Sequence, residues 1–171
     1  MDNAPGSDDA PEKEPQRTLL TLRSEYPRAV GELLPRLQRE LRIFDPDLAD
    51  LGLHTEERVA QLREFLRASR NNRIFIALHN VDWVRRAPRL MKLLGTFSAS
   101  MLIYQTQGDA TRVQDCFVLC DEESFVRRPV ATHPRGAFYL DAPAEAHGMR
   151  ERFDQIWESS FLAVTATQLG I

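Results

Sequence analysis

Apolar residues recur along the chain with two periods, which predict helices and strands respectively. Helical spacing occurs in four segments, at 24–41, 55–66, 83–94 and 144–161. Pro35 lies inside the first of these and should kink or split that helix, because proline lacks the N–H that a helix interior uses. Pro88 suits a first helical position and favours a firm start of the third helix there.

Short apolar runs between these helices predict strands at 42–45, 73–79, 101–104, 115–121 and 136–140, with a turn at 121–124 leading into residues 125–127. The run at 73–79 is apolar almost throughout, which is typical of a strand covered on both faces in a mainly parallel sheet. The alternation of helices and strands predicts an α/β protein. We expect a three-layer α/β/α sandwich with a mixed, mainly parallel sheet and a late antiparallel hairpin.

Charge separates a tail from one domain. Residues 1–17 are rich in Pro, Gly and Ser and carry five acids against two bases, so we expect a disordered acidic tail. The whole chain has 25 acids and 22 bases, which leaves 20 of each in residues 18–171. That length suits a single domain. Its neutral balance disfavours a strongly basic nucleic-acid binder.

The compartment and the cofactor class follow from motifs that the sequence lacks. Its first residues lack the basic and apolar regions of a signal peptide, so none is expected, and no apolar run reaches membrane-spanning length. Cys116 and Cys120 lie too far apart along one predicted strand for a mutual disulfide, so a cytoplasmic protein with no membrane partner is predicted. The sequence lacks GxGxxG, Walker, HExxH and CxxC patterns. We therefore expect no cofactor and no metal, and Asp45 and Asp47 fit turn chemistry better than a cation site.

One stretch, Gln114 to Asp121 followed by a turn and Phe125 to Arg128, has the layout of a known catalytic motif. It resembles the segment of phospholipase D-like domains that carries HxKxxxxD before a turn and a second strand. The closing aromatic helix at 153–159 is also similar to the end of such domains. Residues 24–160 resemble one phospholipase D-like half, in particular an uncharacterised proteobacterial group sometimes found behind an acetyltransferase domain.

The resemblance implies a mechanism whose main residues this chain has lost. In active members the His attacks a phosphodiester, the Lys holds the phosphoryl oxygens, and the Asp orients the His of a paired motif. Here the His place is Gln114 and the Lys place is Cys116, while Asp121 is kept. Glutamine has no nucleophilic nitrogen and an uncharged thiol cannot neutralise a phosphate. We therefore expect no catalytic residues and a domain that is not an enzyme.

Three functions stay open. The first is a non-catalytic domain that binds a protein partner or a phosphate-bearing ligand, with a homodimer formed through the Gln114–Asp121 strand, because active members join two such halves. The second is a phosphodiesterase or nuclease with altered residues, which would use His133, Arg135 and Asp141, although these also fit a loop entering a strand. The third is an accessory, regulatory domain of an acetyltransferase, which the resemblance suggests.

Five basic side chains near predicted strand ends are candidates for an anion site: Arg127, Arg128, His79, Arg85 and Arg86. Either of the first two could hold a phosphate in a bidentate fork. They could instead pair with Asp121 or Glu123 and hold the hairpin. The residues at 79–86 follow the carboxyl end of a buried strand, where open α/β sheets place ligands, but they also fit a turn and a solvated helix face.

Overall fold

In the computed structural model, which describes residues 13–166, eight strands form one sheet in the order β1-β7-β6-β5-β2-β3-β4-β8. The strands are β1 Gln16–Leu20, β2 Glu40–Asp45, β3 Arg73–Leu78, β4 Met101–Thr106, β5 Cys116–Cys120, β6 Ser124–Arg128, β7 Gly136–Leu140 and β8 Ser160–Val164. The helices are α1 Glu25–Leu33, α2 Glu56–Ala68, α3 Asp82–Arg85, α4 Pro88–Thr96 and α5 Pro143–Glu158.

Two apolar clusters place helices on both faces of the sheet. Buried residues of α1, α2 and α4 pack with one face, in a cluster that includes Val30 and Leu62. The buried stripe of α5 packs on the other face, where Phe153 meets Phe117 edge-on with ring centroids 6.2 Å apart. The mixed α/β class and the three-layer arrangement are therefore confirmed.

The expected predominance of parallel pairing is wrong. Within the described residues β2–β3 and β3–β4 pair in parallel, whereas the other five strand pairs are antiparallel. For the pairs β5–β6 and β6–β7 the reason is the length of the connections, which are too short for a parallel crossover. A continuous apolar run indicates that both faces of a strand are buried, but not whether its neighbours are parallel or antiparallel. All residues of β5 are buried, and this strand pairs antiparallel with both neighbours.

Both edge strands are absent from the sequence-based prediction. Gln16 and Arg17 pair with β7 as part of β1, so the expected disordered tail is wrong at its C-terminal end, and residues 1–12 of it lie outside the described residues. Only Leu20 of β1 is buried, so the segment has no apolar pattern to reveal a strand. At the other end α5 stops at Glu158, and Phe161, expected in the last helix, belongs to β8.

Pro35 ends the first helix as expected. The α-helical part stops at Leu33, and Leu34–Arg36 form a short 3-10 turn with the proline inside it. Leu41, which the helical spacing assigned to this helix, is instead a fully buried residue of β2. A strand that follows directly after the turn continues the apolar spacing, and spacing alone cannot mark that boundary.

Asp45 is a buried carboxylate at the end of β2. Its side chain is 5% exposed, and Oδ2 accepts the backbone N–H groups of Asp47 at 3.2 Å and Leu48 at 2.8 Å. These bonds close the turn after β2, so the predicted turn chemistry is confirmed. Burial raises the pKa of Asp45 from its ordinary 3.8 to about 6, and the two amide bonds lower it by less.

We expect Asp45→Asn to remove a pH dependence of stability. With a folded pKa of about 6, the folded chain binds more protons than the unfolded chain between about pH 4 and pH 6. The stability that this group contributes is therefore complete below pH 4 and falls by about 3 kcal/mol as the pH rises through 6. An asparagine oxygen can accept both amides without burying a charge. Denaturant unfolding at pH 4 and pH 7 measures the difference, and a wild-type-minus-variant gap independent of pH would contradict the expectation.

Candidate functional site

The motif positions lie at opposite ends of β5. Gln114 comes before this strand and Asp121 directly after it. A five-residue strand between them spans about 17 Å at roughly 3.4 Å per residue. The end of the sheet at which β5 begins, together with the ends of β2, β3, β4 and β6, is termed the Gln114 edge. The opposite end is termed the Asp121 edge.

Asp121 holds the chain that enters β2. Its carboxylate accepts the backbone N–H groups of Gln38 at 3.0 Å, Arg39 at 2.8 Å and Glu40 at 3.0 Å. Its own N–H donates to the carbonyl of Glu40, and its φ of 53° lies in the left-handed region. The one motif residue that is kept therefore fastens two strands of the Asp121 edge, and its oxygens are bound within the fold.

The side chains of Gln114 and Cys116 differ sharply in their exposure to solvent. The Gln114 side chain is exposed and makes no hydrogen bond within residues 13–166, while its carbonyl accepts the N–H of Ala131 at 2.8 Å. Cys116 is 1% exposed and faces the cluster on the α1 side of the sheet. Burial raises the pKa of its thiol to about 11, so it is uncharged at neutral pH. No cation occupies the place that the motif gives to lysine.

His79 is bonded at both ring nitrogens. Nε2 lies 2.8 Å from the carbonyl oxygen of Val113, and Nδ1 lies 2.7 Å from the hydroxyl of Thr106. Because a carbonyl only accepts, Nε2 donates to Val113, and the Thr106 hydroxyl is the hydrogen-bond partner of Nδ1. The imidazole thus ties the ends of β3 and β4 to the segment that precedes Gln114. Its role at this edge is to position backbone.

Asp115, which the sequence did not single out, forms the main charged cluster of the Gln114 edge. The residue is 2% exposed, and its carboxylate receives Nε of Arg127 on β6 at 3.0 Å. Arg152 on α5 adds a bidentate pair at 2.8 and 2.8 Å. The partners' side chains are 34% and 40% exposed, so one buried negative charge holds two positive charges at the surface. No spacing rule joins residues 37 positions apart, so only the structure reveals this pair.

Arg127 therefore has a different carboxylate partner from the two that the sequence suggested. Asp121 and Glu123 lie at the opposite edge, whereas Arg127 lies opposite Phe117 near the end of β6 and contacts Asp115. Within the described residues neither terminal nitrogen of its guanidinium makes a hydrogen bond. The contact with Asp115 orients these two nitrogens, and both can donate hydrogen bonds to a ligand.

Arg128 is buried on the other face of β6. It is 3% exposed, its guanidinium carbon lies 4.2 Å from the ring centre of Tyr26, and Nη2 donates to the carbonyl of Arg23 at 3.2 Å. Neighbouring residues of a strand point to opposite faces, so the two adjacent arginines separate. The structure assigns Arg128 to packing.

Arg85 is the last residue of α3, and Arg86 follows it. Arg85 donates through Nη2 to the carbonyl of Ala163 in β8 at 2.9 Å. Arg86 is exposed, and its Nε donates to the carbonyl of Asp82 at 3.3 Å. Neither joins the Asp115 cluster through a contact in the described residues, so the five basic candidates do not converge on one site.

The altered catalytic residues do not come together either. His133 and Arg135 are exposed in the loop before β7, at the Gln114 edge. Asp141 follows β7 at the Asp121 edge, where its two carboxylate oxygens each lie 3.4 Å from Nη1 of Arg36. The strand between them is five residues long, so His133 and Asp141 are too far apart to act on one bond.

The expected dimer through β5 is not available on the strand itself. All five of its residues are buried, with β2 on one side, β6 on the other and helices over both faces. A second copy could reach Gln114 but could not pair with the strand. The fold therefore excludes strand pairing through β5, and a homodimer that meets at the exposed end of this segment, around Gln114, stays a prediction.

The described part of the chain contains neither a metal-binding cluster nor a membrane-spanning helix. No group of three or more His, Cys, Asp or Glu side chains there is arranged to hold a metal ion. None of the helices in residues 13–166 has the length and apolar character that crossing a membrane requires.

Solved structures with a similar fold include phospholipase D family members. Nuc from Salmonella typhimurium is 11% identical with a TM-score of 0.60, over 89% of this chain and 100% of Nuc. NucT from Helicobacter pylori is 11% identical with a TM-score of 0.58, over 88% of this chain and 100% of NucT. TrmBL2, an archaeal chromatin protein with a novel mode of DNA binding, is 10% identical with a TM-score of 0.65. The match covers 91% of this chain and 56% of TrmBL2, so the chain spans about half of that protein.

Comparison by sequence gives fewer matches than comparison by structure. A family model described as "Domain of unknown function (DUF7931)" matches residues 23–168. No curated protein sequence matches the chain. At the identities above, the likeness to solved structures shows the fold alone, and the association with an acetyltransferase stays a prediction.

The contrast between the two motif ends gives a stability test. We expect Asp121→Ala to lower the free energy of unfolding by about 2–3 kcal/mol, because it leaves three backbone N–H groups without their charged acceptor. Gln114→Ala, at the exposed end, should change it by less than about 0.5 kcal/mol. Urea denaturation of both variants checks the prediction, and equal effects would contradict the structural role of Asp121.

Proposed function

Because the chain belongs to the DUF7931 family and has the fold of phospholipase D family members, we propose that it is a non-catalytic domain of this fold that binds a phosphate-bearing ligand. The observation that carries the proposal is the pair of motif positions before and within β5. One holds a glutamine that is exposed but not nucleophilic, and the other a buried, uncharged thiol. A fold that keeps its scaffold and loses its reacting groups is suited to binding.

The surroundings of His79 and His133 also support a non-catalytic domain. A nucleophilic imidazole needs a free nitrogen directed at the phosphorus, and both nitrogens of His79 are bound to the protein. His133 is exposed in a loop, without a carboxylate partner among the described residues. The second hypothesis, a diesterase with altered residues, therefore gains no support from the geometry.

The anion-binding part of the proposal rests on the Asp115 cluster. The buried carboxylate fixes the guanidinium groups of Arg127 and Arg152 and leaves one net positive charge on the three side chains. A guanidinium held by one carboxylate still presents donors in a planar fork, which matches the oxygens of a phosphate. Because Asp115 orients Arg127 before a ligand arrives, less rotamer entropy is lost on binding.

We expect no hydrolysis of bis-(p-nitrophenyl) phosphate between pH 5 and pH 9, with or without added divalent cations. The reason is the absence of a nucleophile at the Gln114 position. Release of p-nitrophenolate is followed by absorbance over several hours. Turnover that disappears in His133→Ala would overturn the non-catalytic assignment and favour the altered diesterase.

Inorganic phosphate should bind the folded chain at the Asp115 cluster, with Arg127→Ala weakening it about tenfold through loss of a charge-assisted contact. Titration followed by backbone amide NMR shifts gives the affinity and the residues affected. Arg70→Ala is the matched control, because Arg70 is an exposed arginine in the turn after α2. If phosphate moved no signals near β6, or bound Arg127→Ala as well as the wild type, the proposal would fail.

A further inference from the structure

A pocket of about 410 Å³ lies on the α5 side of the sheet and is lined by residues of β1, β6, β7 and α5. Its floor is Ala137, which stands directly between Leu19 of β1 and Arg127 of β6 in the strand register. A methyl group between two longer side chains leaves a depression in the sheet surface. This pocket is termed the arginine hollow.

The walls of the arginine hollow are largely apolar. Tyr139 stacks on Phe125 with ring centroids 4.6 Å apart and planes 13° apart, which forms one side. Met149 of α5 forms another side, and Leu19 is 64% exposed at the open margin. A volume of this size is within the range of roughly 300–1,000 Å³ that small-molecule pockets occupy.

Three arginines surround this apolar centre. Arg17 and Arg135 line the hollow with Arg127, against the single carboxylate of Glu145. Arg17 lies 5.7 Å from the ring centre of Tyr139, and neither it nor Arg135 forms a salt bridge within residues 13–166. Asp115 contacts Arg127, and its negative charge is cancelled by the positive charge of Arg152. The hollow therefore carries about two net positive charges.

We propose that the arginine hollow binds a small aromatic phosphate monoester, with a nucleoside monophosphate as the representative ligand. The inference rests on the proposed function, because it names the ligand whose phosphate Arg127 would meet. A phosphate monoester carries close to two negative charges at neutral pH, which matches the charge of the hollow better than a carboxylate does. A planar ring fits between the Tyr139 side and Met149, and guanidinium groups stack on such rings.

The position of the hollow also separates it from the motif. Gln114 precedes β5 and Cys116 begins it. Cys116 faces the α1 side of the sheet, whereas the hollow opens on the α5 side. Arg127 is the one residue that both the Asp115 cluster and the hollow share. Occupation of the hollow therefore needs no catalytic residue.

The test uses isothermal titration of the full chain with AMP, adenosine and inorganic phosphate. We expect AMP to bind at least tenfold more tightly than either phosphate or adenosine, because only AMP contacts both the arginines and the apolar walls. Arg135→Ala should weaken AMP about tenfold, while Arg70→Ala should leave it unchanged. Circular dichroism melts confirm that each variant is folded.

Filling the hollow gives a second, independent variant. Ala137→Leu adds bulk to the floor without removing a charge, so it should abolish the preference for AMP and leave phosphate binding intact. If phosphate binds but AMP binds no more tightly, the inference is overturned and the proposed function stands. If neither binds, both are overturned. A single-stranded oligonucleotide of ten nucleotides that binds much more tightly than AMP would show that the ligand is a nucleic-acid strand. That result would also overturn the inference.

Discussion

The burial of β5 is the constraint on which the arrangement of this protein depends. The strand pairs with β2 on one side and β6 on the other, and so joins the part of the sheet that contains parallel pairs to the antiparallel part. Its central residues, Phe117, Val118 and Leu119, are each 0% exposed. Since the strand has no room for a polar side chain, every polar group of the motif region is displaced to one end or the other. Asp115 and Asp121 consequently hold different parts of the fold together.

Arginine serves the interior of this chain as well as its surface. Arg42 and Arg128 are each 3% exposed, and each guanidinium lies over an aromatic ring, Phe75 in the first case and Tyr26 in the second. One nitrogen of each guanidinium is buried without a hydrogen bond to any of residues 13–166. Such groups are costly unless the ring face and the remaining bonds compensate. The number of arginines in a sequence therefore does not indicate how much positive charge its surface presents.

Sequence patterns predicted the parts of the fold that repeat and missed the parts that depend on a distant partner. The helical stripe through Leu62 and the apolar run at 73–79 are local patterns, and the corresponding helix and strand are present. Arg17 has no local signal, because its strand exists only when β7 lies beside it. The same reason hides the contact between Asp115 and Arg152. The exposure of Gln114 and the burial of Cys116 follow from the alternation of a strand only once its covered faces are known.

The pairing of β1 with β7 has a consequence for how the chain folds. Gln16 lies opposite Leu140, so the first strand can be placed only after most of the chain has been made and ordered. Contacts between such distant positions close large loops, and they form late when folding is limited by chain entropy. We expect the face built from these two strands to be completed last. A ligand held there would select fully folded molecules over partly folded ones, and so would act on the folding equilibrium as well as on the finished protein.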